Sequence, residues 1–319
     1  MTPREFVSTA HSPLTDGHLH AWGWEIPVYL FLGGLTAGIL VLSGHALWSG
    51  RRNRGAAPSF ALASSGLHLI GLGTISLGML ALFLDLTHKP FVWRLYLTFK
   101  PLSPMSWGAW ILLIVYPVLM LGVLLDPPRW LRDRFPTATQ RFLSFADRGA
   151  IRRKIGMAAV ASGVALGIYT GVLPSALGAR PLWSSSLLGP LFLVSGVSTG
   201  AALAHWLSPD ASESDQLLQL DNALLSIELG LLALLLIGFS SSNEAQVAAA
   251  RLLLGGPYTA VFWVGVVLLG LLVPLTLQLL IVTRRIAHTA VAPLLVLSGG
   301  LILRFIFVFA GQASHWAPP

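Results

Sequence analysis

The chain of 319 residues is dominated by apolar side chains: 55% are hydrophobic, 10% are charged, and the mean hydropathy is +0.74. An ordinary soluble domain carries about 25% charged residues, so this composition excludes a water-soluble protein and predicts a polypeptide that lies mostly in a membrane. The formal net charge of +7 is typical of basic cytoplasmic loops and does not by itself indicate nucleic acid. The absence of cysteine excludes an iron–sulfur cluster, a covalently attached c-type haem or a disulfide within this protein.

Eight apolar segments are long enough to cross a hydrocarbon core, which takes about 20 residues of helix. They cover residues 26–49, 59–84, 106–125, 152–174, 186–207, 222–241, 257–282 and 289–311. The first twenty residues lack the basic start and apolar run of a secretory signal, so we expect the first span to be retained. The sequence therefore predicts an all-α integral membrane protein with eight transmembrane helices.

The basic residues are distributed unevenly over the alternating loops. With the N-terminus outside, thirteen of them fall in the inner loops, most in the segment 126–154, and six fall in the outer segments. Because lysine and arginine accumulate on the cytoplasmic side, both termini are predicted to lie outside.

Two pairs of segments resemble each other along the sequence. Residues 31–38 in the first span match 193–200 in the fifth, and residues 75–84 in the second span match 227–236 in the sixth. Because four spans separate each pair, we expect a parallel internal repeat of two four-helix bundles, unless the likeness is a coincidence between apolar segments. The predicted division is an outer N-terminal tail over 1–25, a first bundle over 26–174 that carries the site, and a second bundle over 175–319.

Ionisable and aromatic side chains gather at the outer ends of the first four spans. They are His18, His20, Trp22, Trp24, Glu25, Tyr29, Asp85, His88, Lys89, Arg94, Trp107, Trp110 and Tyr169. The aromatic residues are also typical of an interfacial belt, and the carboxylates could form structural ion pairs with Lys89 or Arg94. The functional interpretation is a cavity in which His20 and Tyr169 donate hydrogen bonds to the two carbonyls of a quinone, while a carboxylate relays protons.

A second polar group lies toward the inner side and in the later spans. It comprises His45, His68, His205, His288, Glu228 and Arg304. Ionisable residues within a membrane are costly and mark functional sites by default, so a proton route is one interpretation. Ligation of a b-type haem by His45 and His68, satisfied polar contacts in the bundle interior, and mutual neutralisation of Glu228 and Arg304 stay open as alternatives.

Several motifs resemble one known family. The run from Trp22 to Gly38, WGWEIPVYLFLGGLTAG, looks like the first-span signature of the NrfD/PsrC proteins. The segments DLTHKP at 85–90, SPMSWGAW at 103–110, YTG at 169–171, SGVSTG at 195–200 and GGLILR at 299–304 extend the likeness over nearly the whole sequence.

The resemblance implies eight helices in two bundles, without a redox cofactor in the protein itself. Its partners would be an extrinsic four-cluster iron–sulfur subunit and a catalytic subunit, either a molybdopterin enzyme or a multihaem cytochrome c. The bound substrate would be menaquinone or ubiquinone. In the family a histidine beside the first-span signature and the tyrosine of the fourth span contact the quinone, and these roles fall on His20 and Tyr169; His18 is the other candidate for the first.

We therefore expect the membrane-anchor subunit of a bacterial respiratory oxidoreductase, located in the inner membrane and inactive alone. It would exchange electrons between the quinone pool and the iron–sulfur subunit at the periplasmic face during anaerobic respiration, and proton transfer is a further expectation. The expected quinone-binding residues are His20, Tyr169, Trp24 and Glu25. Those expected in proton transfer are Asp85, His68, Glu228 and Arg304. Those expected in partner docking are His88, Lys89, Arg94 and Trp107. No metal site, haem or nucleic-acid partner is expected, and the alternatives are a secondary transporter and a di-histidine b-type cytochrome.

Overall fold

The structure is a computed structural model that describes residues 22–50, 62, 64–86, 88–100, 103–146, 149–175, 180–208, 211–283 and 289–316. The described residues form helices and connecting segments, with no strand among them. The helices are α1 (Glu25–Trp48), α2 (Ser65–Asp85), α3 (Arg94–Leu97), α4 (Pro104–Leu125), α5 (Arg129–Arg134), α6 (Pro136–Ala146), α7 (Gly149–Ser175), α8 (Leu188–Leu207), α9 (Ala211–Ser240), α10 (Glu244–Leu254), α11 (Val261–Val282) and α12 (Val291–Ala313). Residues 261–272 of α11 are π-helical.

Eight of these helices are long and apolar enough to cross a membrane: α1, α2, α4, α7, α8, α9, α11 and α12. This confirms the predicted number of spans. Large apolar side chains on their outward faces are exposed, such as Leu77 at 58% on α2 and Ile237 at 61% on α9. Exposed apolar surface of this extent fits a lipid environment, because water-soluble proteins rarely expose contiguous patches of this kind.

Helix ends depart from the predicted limits where polar residues continue a helix. α9 begins at Ala211 instead of residue 222, since the early acidic residue Glu213 suits the positive end of the helix dipole. Hydropathy alone also missed α5, α6 and α10, which are too short or too polar to span. α10 begins with a side-chain cap in which Asn243 accepts a hydrogen bond from the Gln246 backbone at 2.9 Å.

α1 is the central helix and contacts α2, α7, α8 and α12. Its glycines allow this close packing: a Cβ added at Gly38 would overlap the Gly196 carbonyl on α8, and one at Gly44 would lie 2.7 Å from the Gly156 carbonyl on α7. Small residues serve this purpose in membranes, where lipid supplies no hydrophobic drive for helices to associate. The small residues of the first-span signature are therefore packing residues.

The two ends of α1 define two faces of the molecule. We call the end at which α1 begins the N-terminal face, and the end at which α1 ends and α7 begins the basic face. In the first set of helices, α1 and α4 each contact α2 and α7. Helices α8, α9, α11 and α12 form a second set of contacting helices, joined to the first by α1, α7 and α8. The parallel repeat between the two sets, the domain limits and the orientation in the membrane stay predictions.

Candidate functional site

A narrow cleft opens near the N-terminal face of the first set of helices. Its walls come from α1, α2, α4 and α7, and the segment between α2 and α4 lies over one side. The lining residues are Tyr29, Met79, Leu82, Phe83, Leu86, Val92, Leu95, Tyr96, Met105, Gly108, Ala109, Leu112, Tyr169 and Leu173. The three tyrosines are the polar side chains of an otherwise apolar wall.

Tyr29 and Tyr169 lie side by side in this wall. Both are buried, with 1% and 6% of their surface exposed, and their hydroxyls share a hydrogen bond. Two hydroxyls joined by one hydrogen bond use one proton between them, so the second proton remains available to donate to another acceptor. The pair is therefore built to offer one O–H donor within an apolar cleft.

Gly108 on α4 sets the position of Tyr169. A Cβ added at Gly108 would overlap the Tyr169 hydroxyl and ring, so the aromatic ring packs directly against the α4 backbone. Because Gly108 of the SPMSWGAW segment has no side chain, Tyr169 can pack against α4 beside Tyr29.

The cleft is small, with a volume of about 50 Å³, which is less than the share of two waters in the liquid. The quinone ring predicted from the sequence would need more room, so its binding here would require outward movement of the wall. Met79, Phe83 and Met105 line it, and Phe83 and Met105 are 37% and 53% exposed. Methionine side chains are flexible and fill irregular gaps, which makes this side of the wall the one that can yield.

Residues 88–100, between α2 and α4, form what we call the cap. Three of its residues, Val92, Leu95 and Tyr96, line the cleft. Its outward face carries exposed apolar rings and Leu97, which is 75% exposed. Burial raises the pKa of the Tyr96 hydroxyl above its ordinary value, and the nearby Tyr116 raises this pKa further. The Tyr96 hydroxyl is therefore protonated at neutral pH. Because one side of the cap lines the cleft and the other is exposed, the cap is a thin layer between the cleft and the N-terminal face.

The backbone that leads into α1 is tied to the second set of helices. The Trp22 ring stacks on Trp183 with centroids 5.0 Å apart, and Gln312 donates a hydrogen bond to the Trp22 carbonyl at 3.0 Å. Trp183 is itself held by a 2.8 Å hydrogen bond from its indole to the Phe307 carbonyl. These contacts hold Trp22, which precedes α1, against the second set of helices.

The predicted quinone-binding residues are not all brought together. Tyr169 lines the cleft, whereas His20, like His18, lies outside the described residues. Trp24 is 53% exposed and Glu25 is half-buried in the first turn of α1, and neither lines the cleft. Both precede Tyr29 by about one turn, at the N-terminal face.

The predicted docking residues lie in or beside the cap. His88, Lys89 and Arg94 are exposed, and Trp107 in the first turn of α4 is 50% exposed. The Arg94 guanidinium lies 4.6 Å from the Phe91 ring centroid and 5.5 Å from that of Trp93. Asp85 ends α2 next to this segment and is half-buried.

The residues predicted to transfer protons occupy three separate places. Asp85 and His68 lie on the same helix, seventeen residues apart, which is about 25 Å at 1.5 Å per residue. His68 is buried near the basic face, with Nδ1 2.9 Å from the Ser64 carbonyl and its ring against Gly122. Glu228 and Arg304 belong to the second set of helices, so the four residues do not form one cluster.

Glu228 and Arg304 are joined through Ser195 on α8. The Arg304 Nη1 donates to the Ser195 hydroxyl at 2.5 Å, and Ser195 also hydrogen-bonds the Glu228 carboxylate. Arg304 is fully buried and donates further to the Gly300 and Phe192 carbonyls at 3.0 and 3.2 Å. The Ser195 hydroxyl therefore bridges the two ionisable side chains in the buried interior, and their mutual neutralisation stays a prediction.

A second buried carboxylate, which sequence inspection missed, lies two turns before Glu228 on α9. Asp221 is 1% exposed and accepts hydrogen bonds from the Ser198 hydroxyl at 2.5 Å and the Gln278 amide at 2.6 Å. Two further turns back, Ser214 lies 2.6 Å from Nδ1 of His205. The seven-residue spacing of 214, 221 and 228 is the available sequence signal, since it places these side chains on one face of α9.

The two histidines of the haem alternative lie in different environments, one exposed and one buried. His45 is exposed near the end of α1 and meets Trp48 edge-on at 6.5 Å between ring centroids, whereas His68 is buried against α4. Among the described residues no three histidine, aspartate or glutamate side chains converge as a metal site.

Tyr29 is the main cleft residue that sequence inspection did not assign to a site. Its position at the start of the first span is also typical of an interfacial aromatic belt. The one available signal was its place in the first-span signature, one turn after Glu25.

These observations define a multi-pass membrane protein with a tyrosine-lined cleft near one face. The sequence matches the family model described as Polysulphide reductase, NrfD, over residues 13–315. The protein therefore belongs to the NrfD polysulphide reductase family.

Named relatives match almost the whole sequence. It is 31% identical over 306 residues to a polysulfide reductase chain of Wolinella succinogenes, covering 91% of this protein and 94% of the relative. It is 32% identical over 311 residues to protein NrfD of Escherichia coli, covering 92% and 95%. A more distant relative is a selenate reductase subunit of Mesobacillus selenatarsenatis, 25% identical over 327 residues, covering 93% of this protein and 75% of the relative.

Proposed function

We propose that the protein is the quinone-reactive membrane subunit of a bacterial respiratory oxidoreductase complex. The observation that carries the proposal is the hydrogen-bonded Tyr29–Tyr169 pair in the wall of an apolar cleft. A quinone head group needs an apolar slot for its ring and a hydroxyl donor for a carbonyl oxygen. The tyrosine pair supplies the donor, and the apolar walls supply the slot once their flexible side moves outward. Two relatives named as parts of polysulfide and selenate reductases support a role in a reductase complex.

The chemistry assigned to the cleft is the two-electron, two-proton interconversion of quinone and quinol. In the oxidising direction the quinol loses two electrons to the partner and two protons to acceptors in the protein, and quinone leaves the cleft. Tyr169 holds one ring oxygen by its hydroxyl proton, while Tyr29 orients that hydroxyl. His20 is the proposed donor to the second ring oxygen, and Glu25 and Asp85 at the N-terminal face are the proposed proton acceptors.

The cap is the proposed docking surface for an extrinsic iron–sulfur subunit. It forms a single layer over the cleft, with cations at Lys89 and Arg94 and exposed rings at Phe91 and Trp93, and the exposed Trp107 lies beside it in the first turn of α4. Exposed aromatic residues with arginine are typical of protein–protein interfaces. Docking there would place the electron acceptor one layer from the ring, on the face proposed to be periplasmic.

Proton transfer through the second set of helices is proposed along α8 and α9. Three polar contacts lie on this interface, formed by His205 with Ser214, Ser198 with Asp221, and Ser195 with Glu228. Their spacing of about two turns is too long for direct transfer, so intervening waters would have to complete the route. This part of the proposal stands apart from the quinone site and has its own test.

The test of the quinone site is a quinone-analogue titration on the intact purified protein, followed by tryptophan quenching, with quinone-linked turnover of the assembled complex as a second measurement. Tyr169→Phe should weaken binding and turnover at least about tenfold, the effect of losing a hydrogen bond to a group that gains charge. Tyr116→Phe is the matched control, because Tyr116 hydrogen-bonds Ser76 at 3.2 Å and does not line the cleft. Unchanged binding and turnover in Tyr169→Phe would refute the site.

The test of the proton route uses the complex in sealed vesicles. Asp221→Asn keeps the shape of the side chain while removing its acid, so proton uptake coupled to turnover should fall while quinone-analogue binding stays unchanged. Coupled uptake at the normal ratio in Asp221→Asn would refute the route and leave the quinone site standing.

A further inference from the structure

At the basic face, a hollow lies beside the end of α1 and the start of α7. The two helices are in close backbone contact where Gly156 of α7 packs against Gly44 and Trp48 of α1. The hollow has a volume of about 630 Å³. Its lining residues are Leu47, Trp48, Ser49 and Gly50 at the end of α1 and Gly149, Ala150, Arg152 and Arg153 at the start of α7.

One wall of the hollow is cationic. Arg152 donates a hydrogen bond from Nη1 to the Leu125 carbonyl at 3.3 Å, which holds its guanidinium at the end of α4. Arg153, the next residue, is exposed. Guanidinium groups are well suited to phosphate, because their planar set of N–H donors can bind two of its oxygens at once.

The first turn of α7 adds donors to the same wall. α7 is 27 residues long and begins at Gly149, where an added Cβ would meet no atom within 4 Å. The first N–H groups of a helix have no acceptor within the helix and carry partial positive charge. Together with the two arginines, they make this wall complementary to an anion.

The other wall is apolar. Leu47 and Trp48 close α1, and the Trp48 ring is 41% exposed. On α7, Met157 is 42% exposed one turn after Arg153, so an exposed apolar side chain follows the cationic wall. A ligand that fits both walls carries an anionic phosphate on an apolar body.

We propose that this hollow binds an anionic phospholipid, with the phosphodiester between Arg152, Arg153 and the first turn of α7 and the acyl chains along Trp48 and Met157. Basic pockets between transmembrane helices recognise lipid head groups in this way. The site lies at the opposite end of α1 from Tyr29, so it is independent of the quinone site and does not rest on the proposed function.

The experiment measures lipid retention by native mass spectrometry on the intact purified protein after incubation with an equal mixture of phosphatidylglycerol and phosphatidylcholine. The wild type should retain phosphatidylglycerol preferentially. Arg153→Ala should lower that preference about fivefold, the effect of one basic residue near a lipid surface. Lys154→Ala is the matched control, because it removes the same charge from the next residue, which is exposed and does not line the hollow.

Three outcomes would overturn the proposal. No preference in the wild type would mean that the hollow holds no anionic lipid. Equal losses in Arg153→Ala and Lys154→Ala would indicate general attraction to a basic surface. Displacement of phosphatidylglycerol by the same concentration of inorganic phosphate would indicate a free-phosphate site with no use for the apolar wall. A loss confined to Arg153→Ala and resistant to phosphate supports the lipid site.

Discussion

Replacing Gly108 by alanine is the sharpest perturbation of the cleft, because it adds one methyl group at the point where Tyr169 packs on α4. The new Cβ would overlap the Tyr169 hydroxyl and ring, so the tyrosine has to move by about 1 Å or more to regain normal contact distances. A hydroxyl–hydroxyl bond is best near about 2.7–2.8 Å and is lost by about 3.6 Å. The substitution is therefore expected to break the bond between Tyr169 and Tyr29.

The expected magnitude has two parts. Overpacking of a well-packed interior costs about 1–3 kcal/mol and the lost hydrogen bond about 1 kcal/mol, so the free energy of unfolding should fall by about 2–4 kcal/mol. A misplacement of a positioned group by about 1 Å can lower turnover by about a hundredfold. We expect the quinone-linked kcat/KM of Gly108→Ala to fall by about ten- to a hundredfold, or about 1.4–2.7 kcal/mol.

The assay is quinol oxidation by the assembled complex, read beside thermal unfolding of the purified protein. Gly73→Ala is the control, since Gly73 lies inside α2 and a Cβ there meets nothing within 4 Å. In a protein that already carries Tyr169→Ala, adding Gly108→Ala should cause little further loss, because the ring with which the new methyl group clashes is gone and the two effects are coupled. Wild-type kcat/KM and stability in Gly108→Ala would refute the seating of Tyr169, and full additivity in the double variant would refute their coupling.

Three further outcomes are expected. Arg304→Met should destabilise the protein by about 3–5 kcal/mol in thermal unfolding, because it leaves the buried Glu228 carboxylate uncompensated. Adding Glu228→Gln should recover part of this loss. Equal losses in the single and double variants would contradict this expectation. Gly38→Ala should destabilise by about 1–3 kcal/mol through overpacking against α8, whereas Gly230→Ala, with nothing within 4 Å of its added Cβ, should not; a smaller effect at Gly38 than at Gly230 would be inconsistent with the packing. The pKa of the Tyr96 hydroxyl is raised above its ordinary value of 10, so this hydroxyl stays protonated between about pH 6 and pH 9. Tyr96→Phe should therefore leave the shape of the pH–turnover profile over this range unchanged. Loss of one limb of the profile would argue against a protonated Tyr96.

Periodicity and hydropathy were sufficient for the transmembrane architecture but not for all helix ends. Apolar runs of about 20 residues have few structural solutions in a membrane, since every backbone polar group must be satisfied internally. All eight spans were therefore readable. The polar start of α9 was not, because Ser212, Glu213 and Asp215 belong to the same helix without adding to its apolar signal.

The site could be predicted from the sequence only in part, because it depends on contacts between residues far apart in the sequence. Tyr169 could be selected because the fourth-span motif resembles that of the family, but its hydroxyl partner lies 140 residues earlier in the sequence. Tyr29 has the same sequence appearance as an interfacial tyrosine. Its burial and its bond to Tyr169 arise from the packing of α1 on α7, which local pattern does not encode.

What the sequence determined by itself is the class of the protein, its eight spans and its family, because these depend on composition, run length and motif order. What only the tertiary structure decided is which polar side chains meet. Gly108 became informative through the ring that packs on it, Asp221 through Ser198 and Gln278, and Arg153 through the hollow beside Trp48. Each of these arrangements brings together residues of different helices, and the distance between helices is set by the small residues that let their backbones approach.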